Sequence, residues 1–97
     1  MNHRLKILAV SGTLYEKGVQ LGKQFHTSIQ ADMEMVKELW KDEDVKDRFL
    51  IVKRKLEEKY GDLLEEVYGR ADGANVNRDD YLLYLCPEIY TYHESCT

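Results

Sequence analysis

Few side chains in this sequence could do chemistry. Cys86 and Cys96 stand ten residues apart, with no Cys-x-x-Cys unit. The histidines are His3, His26 and His93, and no His-x-x-x-His pair occurs. His93 and Cys96 are three apart, which on an extended segment sets them on opposite faces. No metal site and no cofactor is expected from such spacings. The adjacent acids Asp79 and Asp80 suit the first turn of a helix better than a catalytic dyad. Cys86 reads as a small buried hydrophobe. A disulfide framework needs more cysteines and an oxidising compartment. That leaves Cys96, set between Ser95 and Thr97.

An ordinary thiol, with a pKa of about 8.5, is only a few per cent thiolate at neutral pH. The Ser95–Cys96 bond gives this one more scope. Its sulfur can attack the preceding carbonyl, converting the amide to a thioester, and water can then split the chain. The product begins with Cys96, which carries a thiol and a free α-amino group together. That amine, with a pKa of about 7.7–8, can serve as the general base for its own sulfur.

The elements that would deliver Cys96 read as mostly helical. Leu5, Ile7 and Ala9 alternate with Lys6, Leu8 and Val10, predicting a short strand ended by Ser11 and Gly12. Thr13 and Glu16 form a capping-box pattern that opens a long helix. Its stripe is Gly18, Gly22, Phe25, Ile29, Met33, Val36 and Trp40, and no proline interrupts it. Two interior glycines cost roughly 1 kcal/mol each against alanine, so another backbone is expected close to those turns. A second long helix follows the acidic turn at 42–44, with Val45, Phe49, Val52, Leu56 and Tyr60 inward. Its other face, Lys46, Lys53, Arg54, Glu57 and Glu58, reads as solvated. Gly61 breaks or bends that run, and Leu63, Leu64, Val67 and Ala71 restart it as far as Gly73, expected as the C-terminal cap. Asn77 caps a short helix that Pro87 ends. Ile89, Thr91 and His93 then alternate with Glu88, Tyr90 and Tyr92, predicting a C-terminal strand.

The totals narrow the classes. A chain of 97 residues makes one domain at most. The 43% hydrophobic and 33% charged content is that of a soluble protein. A net charge of −4, with basic residues interleaved among acids, argues against nucleic-acid binding. No apolar run reaches bilayer length, so no membrane partner is expected. The apolar run at 7–10 is too short for a signal-peptide core, so a cytoplasmic location is expected.

Three segments carry a resemblance. Residues 12–22, GTLYEKGVQLG, resemble the opening strand-to-helix signature of the isopenicillin N acyltransferase-like family of N-terminal-nucleophile hydrolases. Residues 65–75, EEVYGRADGAN, are similar to that family's E…GxAxGAG segment, with Asn75 where glycine is common. Cys96-Thr97 is similar to the start of its mature catalytic chain, here preceded by Ser95 where glycine is frequent. The resemblance implies that residues 1–95 are the propeptide and that 96–97 begin the catalytic chain. It implies cleavage between Ser95 and Cys96, with Cys96 as nucleophile on linear amides or thioesters, giving hydrolysis or acyl transfer. The oxyanion donors would lie downstream, so this segment would be catalytically incomplete by itself, with the downstream chain and an amide or acyl donor as its partners. The expected fold is mainly α (α+β): an N-terminal strand, two long helices, two short helices and a C-terminal strand, a fragment of an αββα sandwich. Such a fragment is also expected to associate, a homo-oligomer being one form, because faces built to cover a sheet lack it. A different class competes: a small standalone helical domain that binds a protein partner through its apolar stripes, without catalysis.

Overall fold

The structure, a computed structural model, describes residues 12–91. Among these residues six helices follow one another: α1 (Leu14–Gln24), α2 (His26–Leu39), α3 (Glu43–Lys59), α4 (Gly61–Ala74), α5 (Arg78–Leu85) and α6 (Pro87–Tyr90). There is no strand among the described residues. Among the described residues, the expected α+β fragment of an αββα sandwich is therefore corrected to an all-helical arrangement. The N-terminal strand expected at 5–10 lies outside the described residues. The C-terminal strand is replaced at its start by α6. Proline there does two things: it ends α5 and, at the first position of α6, it supplies a φ already suited to a helix. Ile89, 1% exposed, is buried, and the Thr91 amide closes the turn on the Pro87 carbonyl at 2.9 Å.

Local signals set most of the helix starts. Thr13 and Glu16 make the reciprocal capping box, at 3.1 Å from the Glu16 amide to Thr13 Oγ1 and 3.0 Å from the Thr13 amide to Glu16 Oε1. Asp42 caps α3 by accepting from the Asp44 amide at 2.9 Å. Asn77 caps α5 by accepting from the Asp80 amide at 3.0 Å.

The long first helix breaks at Phe25, where φ is −109° and ψ is 24°. The break sends α2 away from α4 and towards α5, and leaves Phe25 half exposed rather than on the core stripe. Gly73 is not a cap. The helix runs on to Ala74, and Asn75 takes the left-handed cap conformation at φ 66°, ψ 41°. The Val76 amide then returns to the Ala71 carbonyl at 2.9 Å, which closes the end of α4.

The dominant contact is α1 against α4. A Cβ on Gly18 would overlap the Glu66 carbonyl oxygen, and one on Gly22 the Arg70 carbonyl oxygen. The reverse holds equally: Gly69 meets the Tyr15 carbonyl oxygen and Gly73 the Val19 carbonyl oxygen. Contacts advance in the same direction along both helices, so α1 and α4 run parallel, with α2 and α3 as the return path. Each glycine costs about 1 kcal/mol of helix propensity. Backbone approach this close offsets it through dispersion and through Cα–H···O contacts of roughly 0.5–1 kcal/mol each. Ile29, Met33 and Val36 of α2, Val45 and Phe49 of α3, Leu64, Val67 and Ala71 of α4, and Tyr81, Leu82 and Leu83 of α5 form one core with Cys86 and Ile89.

Candidate functional site

Ser95 and Cys96, the expected cleavage junction and nucleophile, lie outside the described residues, as do His3 and His93. The residues leading towards them are described as far as Thr91. Cys86 joins α5 to α6 and is buried, 8% exposed. Burial, and then the nearby Glu88 carboxylate, push its thiol above the ordinary range. That setting suits packing and opposes nucleophilic use. His26 is exposed, its Nδ1 3.3 Å from the Lys23 carbonyl oxygen. No cluster of three or more metal-ligating side chains occurs among the described residues.

Asp79 and Asp80 open α5 as expected, and each also joins it to another helix. Asp79 Oδ1 accepts from Lys53 Nζ of α3 at 3.0 Å. Asp80 Oδ1 accepts from Trp40 Nε1, just past α2, at 2.6 Å. The Trp40 ring stands edge-on to Phe49 with centroids 5.0 Å apart. Lys53, expected among solvated charges, is thus an interhelical contact, and its ammonium is held above its usual range chiefly by the Asp79 hydrogen bond.

Asp72 is a second polar junction. It receives Tyr15 Oη from α1 at 2.5 Å and the Arg78 fork of α5 at 3.0 and 2.7 Å. Arg78 holds the Asp72 carboxyl below the usual carboxylate range, against an opposing effect of burial, and Tyr15 adds to the lowering. The same Asp72 hydrogen bond raises the Tyr15 phenol and the Arg78 guanidinium. Arg78 also lies over the Tyr68 ring, 5.1 Å from its centroid. The Asp72 junction holds three helices together and presents no free nucleophile or base.

Two surface features remain. Leu21, Phe25 and Ile29 line an open groove of about 300 Å³ with Arg70 and Tyr81. Burial opposes the Arg70 charge, but the nearby Tyr81 and the Glu66 carboxylate, which accepts from Arg70 Nη2 at 3.3 Å, outweigh it and raise the guanidinium. The outer face of α3 exposes Leu50 at 63% and Ile51 at 57%, between grooves of about 350 and 310 Å³. This face fell outside the stripe found in the sequence; two adjacent apolar residues opposite Val45 and Phe49 were the available signal. No helix among the described residues is long and apolar enough to cross a membrane.

Comparisons of the chain with protein-family models, with curated proteins and with solved structures find no match.

Proposed function

We propose that the chain is the propeptide and nucleophile junction of a self-processing cysteine amide hydrolase or acyltransferase, acting in the cytoplasm and cleaved between Ser95 and Cys96. What supports this reading is the relation between its two described resembling segments. Residues 12–22 and 65–75 are packed on each other through reciprocal glycines, so the glycine pattern of each segment has its physical cause in the other. In this reading the helical unit precedes the junction, and Cys96 supplies the reaction. Its sulfur bonds to the Ser95 carbonyl carbon as the C–N bond breaks, and the freed Cys96 amine takes the proton. Water then hydrolyses the thioester to a Ser95 carboxylate and the Cys96 thiol. The Cys96 thiol, deprotonated by its own amine, bonds to the carbonyl carbon of a linear amide or thioester as the C–N or C–S bond breaks, and the departing amine or thiol takes that proton. Water or an acceptor amine resolves the resulting acyl-enzyme.

The test is the intact mass of the full-length gene product, native and Cys96→Ala. Two pieces separated after Ser95 in the native protein alone are expected. A native protein that stays whole overturns self-processing.

A second reading, a helical interaction domain without catalysis, is favoured by one observation: the exposed Leu50–Ile51 face of α3. Under it, both proteins stay whole and neither hydrolyses amides.

A further inference from the structure

The outer face of α3 carries two exposed apolar side chains, Leu50 and Ile51, beside an acid and a base, Asp47 and Arg54. At about 100° per residue, Asp47 and Arg54 fall about 20° apart along the centre of the outward stripe. Leu50 and Ile51 flank that centre, one on each side. Val45 and Phe49 point the opposite way, into the core. Neither Asp47 nor Arg54 has an ion-pair partner among the described residues. Two copies of α3 laid antiparallel, with the two-fold axis between residues 50 and 51, bring Leu50 of one chain onto Ile51 of the other. The same operation sets Asp47 opposite Arg54, and it does so twice. An apolar centre between two opposite-charge pairs is the self-complementary pattern that a two-fold contact requires.

Grooves beside the ridge complete the fit. One is lined by Leu50, Ile51 and Arg54 with Lys55 and Glu58, and the other by Trp40, Phe49 and Leu50 with Lys46 and Asp79. A second ridge of the same shape can settle into them. The operation also places Glu43 opposite Glu58 at each end. Those ends are solvent-exposed, and Glu43 already has Lys46 at 3.3 Å, so the repulsion there is screened. A contact made by one helix per chain is smaller than the roughly 1,200 Å² of a stable interface, which points to a weak and reversible dimer.

We propose that this chain self-associates as an antiparallel two-fold dimer through α3, with Leu50 against Ile51 and Asp47 against Arg54. The proposal is independent of cleavage at Ser95.

Sedimentation equilibrium of the 97-residue chain tests it. The weight-average mass should rise with concentration from 11.4 kDa towards twice that value, and high salt should lower it. Asp47→Arg and Arg54→Asp each place like charges in both pairs and should weaken association at least about tenfold. The double variant Asp47→Arg/Arg54→Asp restores both pairs and should associate like the native chain. An equimolar mixture of the two single variants should associate where each alone does not. Both positions are exposed, so helicity by circular dichroism should be unchanged throughout. A native chain that stays monomeric at millimolar concentration overturns the proposal and leaves the face to another partner. Association unaffected by the single reversals, or not regained in the double variant, overturns it equally.

Discussion

Gly69 and the carbonyl oxygen of Tyr15 are in backbone-to-backbone contact, with no room between them for a methyl group. Gly18 and the Glu66 carbonyl repeat that relationship in the other direction. Adding a carbon here requires α1 and α4 to separate.

Gly69→Ala should therefore destabilise the fold by about 1–3 kcal/mol, the usual cost of overpacking, despite alanine's better helix propensity. Gly61→Ala is the control, because a Cβ there meets nothing within 4 Å. It should be neutral or stabilising by up to about 1 kcal/mol. Urea unfolding followed by circular dichroism measures both. Equal effects would mean that α1 and α4 do not meet as described.

The Asp72 junction should make stability depend on pH in the acid range. Its folded pKa is lowered, mainly by Arg78. The contribution is thus fully present above the unfolded carboxylate pKa of about 3.9 and is lost as pH falls through the folded value. Asp72→Asn should cost about 1 kcal/mol at pH 7, a figure that allows for solvent screening. The difference from the native chain should shrink towards zero near pH 2. A difference constant from pH 7 to pH 2 would rule out the charge as its source.

Trp40 is the only tryptophan, so its emission reports on the place where α2, α3 and α5 meet. Asp80→Ala removes the acceptor of its indole N–H and should shift emission to longer wavelength, with a loss of about 1–2 kcal/mol. Asp80→Asn keeps a side-chain oxygen and should shift it less. Identical spectra for native and Asp80→Ala proteins would show that the indole bond is not made.

Several of these contacts could be anticipated from sequence and others could not. Caps are local: Thr13 and Glu16, or Asn77 and Asp80, lie within one turn, so their pairing could be read directly. Gly18 and Gly22 announced a neighbouring backbone but not which one. Gly73 resembled a helix stop because glycine commonly is one, and only the approach of Val19 shows its use; Asn75 takes the stop instead, as asparagine tolerates a left-handed φ. The break at Phe25 left no mark on a stripe that continues through it, and the α6 turn was hidden by an alternation that fits a strand equally well. Of the candidate site, residue types gave the possible chemistry of Cys96. Its surroundings depend on contacts that spacing does not encode.

Cys86 offers a further check. In a Cys96→Ser chain it is the sole thiol, and burial raises its pKa. At pH 8 it should react with an aromatic disulfide reagent at least about a hundredfold more slowly folded than in urea, limited by opening of the α5–α6 junction. Fast reaction of the folded chain would place that thiol at the surface.

The reciprocal glycines also constrain how such a sequence can diverge. Gly18 and Gly69 are separated along the chain by the same interval as Gly22 and Gly73. Insertions or deletions between them alter the loops without touching the crossing. A single shift of one Gly-x-x-x-Gly unit along its own helix, however, puts side chains where carbonyls now sit, unless the other unit shifts with it. Descendants of this sequence could therefore change nearly every exposed position and still be recognisable by two such units on parallel helices. Those that lose one unit are expected to have lost both.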